Sequence, residues 1–162
     1  MKLFLNSFVF LFFLCWPVIG EEINKNYTVK VSGIKIGELS WKIKIDGNKY
    51  LNKLKLKSKG LLSAIYSFNG EYLSEGFVNK NKLIPRKYKH FWQTKTVIKN
   101  MELAFNEGRL TSLKQDPVEE EKMRLSVFDI QHTNDPLTSF QKIMMGDKSA
   151  LVVDGRLSLI HI

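Results

Sequence analysis

The alternation in Leu39-Ser40-Trp41-Lys42-Ile43-Lys44-Ile45 constrains this chain more than any other feature. A period of two puts Leu39, Trp41, Ile43 and Ile45 on one face of an extended strand, with Ser40, Lys42 and Lys44 on the other. Asp46-Gly47 then turns the chain. Beyond it, Leu54 and Leu56 alternate with Lys53, Lys55 and Lys57, which predicts a hairpin with one greasy and one lysine-rich face. Its register is well specified, because a slip of one residue would drive lysines into the core. Upstream, Tyr27, Val29 and Val31 alternate with Thr28, Lys30 and Ser32 in the same way.

Further strands are predicted at 68–77, 82–84, 86–93, 95–105 and 109–114, with turns at Asn79-Lys80-Asn81 and Asn106-Glu107-Gly108. The continuous run after Gly60 reads as a helical turn or two. Asp135 suits an N-cap and Pro136 a first helical position, so a helix is predicted near 136–145, with Leu137, Phe140, Ile143 and Met144 on one face and Gly146 closing it. A buried strand at 150–153 follows. The fold class expected is mainly β: a strongly curled antiparallel sheet or open half-barrel, in meander order, with that one helix packed against it.

At 162 residues and 44% apolar, the chain is sized for one domain with a real core. Residues 1–20 read as a secretory signal peptide. Lys2 precedes the apolar runs 3–5 and 8–15, Trp16-Pro17 ends them, and Val18-Ile19-Gly20 offers a cleavage site. An uncleaved N-terminal anchor helix is the alternative. The domain is then expected over 21–156, in the periplasm. Residues 157–162 resemble an adapter sequence translated in frame, and no adequate partner strand is expected after Asp154-Gly155, so the domain is expected to be incomplete at its C-terminus.

No catalytic constellation stands out. No Gly-x-Ser-x-Gly, Ser-x-x-Lys or Cys–His arrangement occurs, and no glycine-rich phosphate cradle. His90 alternates with Tyr88 and Trp92 and reads as a packed or rim residue. His132, in a polar loop, lacks companion ligands at metal-site spacing. Neither metal nor cofactor is expected, and a hydrolase using Asp116 and Glu119 to Glu121 ranks third among the readings.

Positive charge needs a separate reading. Removing residues 1–20, which hold Lys2 and no acid, leaves 24 basic and 16 acidic side chains, a net of +8. Only Arg86, Arg109, Arg124 and Arg156 are arginine, whereas surfaces that clamp phosphates or read bases favour Arg forks. No nucleic-acid partner is expected. Weak attraction to an anionic membrane surface is.

Aromatics are spread over most strands. A curled sheet of this size leaves a concave apolar face able to hold an acyl chain, with Leu39, Trp41, Ile43, Tyr72, Tyr88 and Trp92 as candidate ligand-binding residues. Gly33, Gly37, Asp46, Gly47, Asp154 and Gly155 are assigned to turns or bulges.

Several of these segments occur in a familiar order: Tyr27-Thr28-Val29, then Gly33-Ile34-Lys35-Ile36-Gly37-Glu38, Gly60-Leu61-Leu62, Pro85 before a basic-aromatic strand, Asp135-Pro136-Leu137-Thr138-Ser139, and Val153-Asp154-Gly155-Arg156. In this the chain resembles an exported bacterial family known as domain of unknown function 3108. The resemblance implies a β-rich envelope protein of Gram-negative type, with no assigned activity and no catalytic residues to carry over. The expected function is non-enzymatic binding of an apolar envelope molecule, a lipid or acyl chain. The alternative is a structural or protein-interaction module with envelope proteins as partners.

Overall fold

The computed structural model describes residues 20–80, 82–118, 133–146, 151–153 and 159–161. Seven strands form one sheet: β1 (Glu21–Val31), β2 (Ile34–Asp46), β3 (Lys49–Ser58), β4 (Phe68–Asn79), β5 (Lys82–Thr94), β6 (Ile98–Asn106) and β7 (Arg109–Asp116). A short helix, α1 (Leu61–Ile65), links β3 to β4, and α2 (Pro136–Met144) follows the sheet. Each strand pairs antiparallel with its sequence neighbour, in the order β1-β2-β3-β4-β5-β6-β7, and β1 does not pair with β7. The sheet is therefore an open meander, as expected. A separate two-stranded pair joins β8 (Leu151–Val153) to β9 (Leu159–His161), so a three-residue partner does follow the expected turn. Asp154 and Gly155, like residues 1–19, His132 and Glu119 to Glu121, lie outside the described residues.

Local chemistry explains the turns. Gly47-Asn48 forms a two-residue loop between the paired Asp46 and Lys49, with Gly47 at φ 58. Ser32-Gly33 closes β1 on β2 with both residues at positive φ, 49 and 80, a geometry in which glycine at the second place avoids strain. Gly37, assigned to a turn or bulge, is not among the glycines at positive φ. It lies in β2 beside the register shift at Val29/Lys30, where a Cβ would come within 3.0 Å of the Lys57 carbonyl oxygen. Its glycine serves close approach at a bulge.

Two boundaries differ from expectation. Segments 82–84 and 86–93 are one strand, continuous through Pro85. The register steps from Glu75↔Lys87 to Gly76↔Pro85, leaving Arg86 as the extra residue, and a bulge is where a strand tolerates a residue with no N–H. The strand expected from Lys95 begins at Ile98. Thr94 and Val97 close the intervening turn, Thr94 N–H donating to Val97 O at 2.8 Å. This turn has no Gly, Asn, Asp or Pro to announce it.

Alternation divides the sheet into two faces. On the outer face, lysines meet acids across strands: Lys42–Glu22 at 2.8 Å, Lys55–Glu71 at 2.9 Å, and Lys87–Glu102 at 2.9 Å. These pairs are solvated, so each adds little to stability. The inner face carries α2, and Tyr88, Leu103, Phe105, Leu110 and Leu137 form the buried core. Trp41 of β2 lies 5.3 Å from the Phe140 ring, while Leu110 of β7 shares the cluster with Leu137. Strands about 4.8 Å apart put β2 and β7 roughly 24 Å apart in a flat sheet, about twice a helix diameter. One helix can reach both only because the sheet curls around it.

Candidate ligand-binding face

Strand pairing aligns the inner residues into rows across the sheet. Tyr27, Leu39, Leu56, Gly70 and Trp92 make the first row. Trp41, Leu54, Tyr72, His90 and Met101 make the second; Ile43, Asn52, Ser74, Tyr88 and Leu103 make the third. All six residues predicted to bind ligand therefore share one face: Leu39 with Trp92, Trp41 with Tyr72, Ile43 with Tyr88.

The helix divides that face. Asp135 caps α2 through Oδ1, which accepts from the N–H groups of Leu137 at 3.0 Å and Thr138 at 2.9 Å. Its other oxygen accepts from the hydroxyls of Ser74 at 2.9 Å and Thr138 at 2.6 Å. Tyr50 OH lies 2.7 Å from Thr138 Oγ1, and Asn52 Nδ2 donates to Gln141 Oε1 at 2.8 Å while its Oδ1 accepts from Trp41 Nε1 at 2.7 Å. The helix buries Leu137, Thr138, Ser139 and Gln141 and leaves Phe140 46% exposed. Of the predicted apolar stripe, only Leu137 is fully docked, while Phe140 rests half-exposed against Trp41. The sheet offers Tyr50, Asn52 and Ser74 at the docking positions, and buried polar groups must find partners. Tyr88, 2% exposed, is a core residue rather than one open to a ligand.

Burial pushes the Asp135 carboxyl above its ordinary range, against the pull of its hydrogen bonds. Proton counting points the same way. Tyr50, Ser74, Thr138 and Asp135 make five short oxygen–oxygen contacts, and three hydroxyls supply only three protons. A neutral Asp135 supplies a fourth.

Away from α2 the inner face stays aromatic and open. Tyr72 stacks on His90 with centroids 4.6 Å apart, His90 lies 6.2 Å from Trp92, and Phe68 meets Trp92 edge-on at 5.6 Å. Gly70 sits among them without a side chain; a Cβ there would meet the Phe68 ring at 2.9 Å. Trp92 is 37% exposed and Tyr27 49%. Among the described residues His90 Nε2 is buried without a hydrogen-bond partner, and desolvation holds the imidazole below its ordinary range, so the ring is a neutral wall at neutral pH. The row is not the largest recess: a cleft of about 790 Å³ opens at the opposite end of the sheet, where β4 ends and β5 begins.

Sequence reading missed Asn52, Ser74, Asp135 and Gln141 as a buried set. The signal was there for two of them, since Asn52 occupies an apolar place between Tyr50 and Leu54, and Ser74 one between Tyr72 and Gly76. Among the described residues, no group of three or more His, Cys, Asp or Glu side chains could hold a metal, and no helix is long and apolar enough to cross a membrane.

An open antiparallel half-barrel, its inner face half plugged by a polar-docked helix and half aromatic, defines the class. Residues 26–140 match the family described as Protein of unknown function (DUF3108), and the chain belongs to that family. No curated protein and no solved structure matches it.

Proposed function

We propose that this is an exported, non-enzymatic binding module of the bacterial envelope that holds an apolar ligand, a lipid or acyl chain, along the open half of the inner face. One observation carries the reading. Beside the docked α2, Phe68, Tyr72, His90 and Trp92 form a contiguous aromatic cluster in which none is fully buried and Trp92 is 37% exposed. A mostly apolar wall with few polar groups is what acyl chains select. The apolar N-terminal segment and its cleavage-site pattern support export.

The delipidated full chain is expected to bind a fluorescent fatty acid saturably at micromolar concentration, with a blue shift. Trp92→Ala should weaken binding about tenfold, because burying an aromatic ring against ligand is worth about 1.5 kcal/mol or more. Absence of saturable binding, or indifference to Trp92→Ala, overturns the reading.

A second reading, protein interaction, is favoured by the sheet edges. Among the described residues no strand pairs with the outer edge of β1 or β7, and such an edge can accept a partner strand. Stoichiometric capture of an envelope protein that is lost on inserting proline into β1, without fatty-acid binding, would favour it.

A further inference from the structure

The cleft of about 790 Å³ at the far end of the sheet has a chemistry unlike the aromatic row. It lies between the β4–β5 turn, the β6–β7 turn and the residues entering α2. Leu83, Pro85 and Phe105 give it apolar walls, and Lys80, Lys82, Arg86 and Lys142 make it basic against Glu107, the one acid among its described lining residues. Elsewhere on the sheet, lysines such as Lys42, Lys55 and Lys87 meet a carboxylate. Lys80, Lys82 and Arg86 have no carboxylate at ion-pair distance among the described residues.

A second, independent feature lies at the same place. Thr133 lines the cleft and is 1% exposed, yet among the described residues its hydroxyl has no hydrogen-bond partner, although its N–H donates to Gly108 O at 3.2 Å. Buried hydroxyls are nearly always satisfied. An oxygen acceptor resting in the cleft would satisfy this one and would also sit among cations.

We propose that this cleft binds the anionic head of an amphiphile, a phosphate or carboxylate group, with its apolar body against Leu83, Pro85 and Phe105. An ammonium head would be repelled by Lys80, Lys82 and Arg86. A bare inorganic anion would leave the apolar walls unused, and desolvating both parts of one ligand gives the arrangement its purpose. The site differs from the aromatic row in position, charge and residues, and stands or falls separately.

Calorimetric titration of the full chain tests it, using dihexanoyl phosphatidylglycerol below its micelle concentration, dihexanoyl phosphatidylcholine, and inorganic phosphate. Saturable binding of the first, at least tenfold tighter than either of the others, is expected. Lys82→Gln with Arg86→Gln should weaken it about tenfold or more, and Thr133→Val several-fold without loss of Tm. Lys53→Gln with Lys114→Gln, on the outer face, should leave it unchanged. Equal affinity for inorganic phosphate would make this a free-anion site and overturn the amphiphile assignment. No saturable binding, or an equal loss in the outer-face control, would overturn the site altogether. The fluorescent fatty-acid experiment with Trp92→Ala reads the other site, so the two failures are distinguishable.

Discussion

Asp135 shows how one residue can do more than its sequence context announces. As an N-cap it is ordinary; as a fully buried carboxyl sharing too few protons with three hydroxyls it titrates abnormally. The sign follows from the raised folded-state pKa. Its neutral form contributes stability in full below the ordinary 3.8, and that contribution is lost as pH rises through the raised value. His90 acts oppositely. With its folded pKa lowered, its contribution is full above the ordinary 6.5 and is lost as pH falls through the lowered value. Asp135→Asn keeps the cap and removes the first slope, so urea denaturation from pH 4 to 8 should show less decline toward high pH. The remaining acid-side fall below 6.5 should persist, and it should become shallower on adding His90→Phe. An unchanged profile in Asp135→Asn would mean that Asp135 titrates normally.

At the scale of elements, α2 is the piece whose docking the sequence misleads about most. Its apolar stripe was legible, but only Leu137 of that stripe enters the core, because the strands beneath it present hydrogen-bonding groups. Leu137→Ala should therefore cost about 2–4 kcal/mol in chemical denaturation. Phe140→Ala, losing a half-exposed ring that touches Trp41, should cost less, about 1 kcal/mol. Comparable losses would indicate that the helix docks through the predicted stripe. β5 teaches a related lesson. Pro85 looked like a strand break, yet the bulge opposite Gly76 absorbs it, and a bulge depends on the partner strand's register, which no local pattern contains.

For the molecule as a whole, an open sheet has two ends, and the first is weakly held. Among the described residues β1 has one partner strand, and most of its side chains are exposed. Its amides should exchange with deuterium well before those of β3 to β5, measured by exchange mass spectrometry on β1 peptides; equal protection would reveal a partner covering that edge. The meander, the hairpin registers, the α2 cap and the common face of Leu39, Trp41, Ile43, Tyr72, Tyr88 and Trp92 were all legible in the sequence, because each depends on neighbours in the chain: side-chain period, turn residues, capping chemistry. Which of those six face solvent, why Asn52 and Ser74 occupy apolar places, and why Thr133 lines a basic cleft were decided only in three dimensions. Those outcomes depend on where a helix many residues away comes to rest, and a curled sheet fixes that through hydrogen-bond partners distant in sequence.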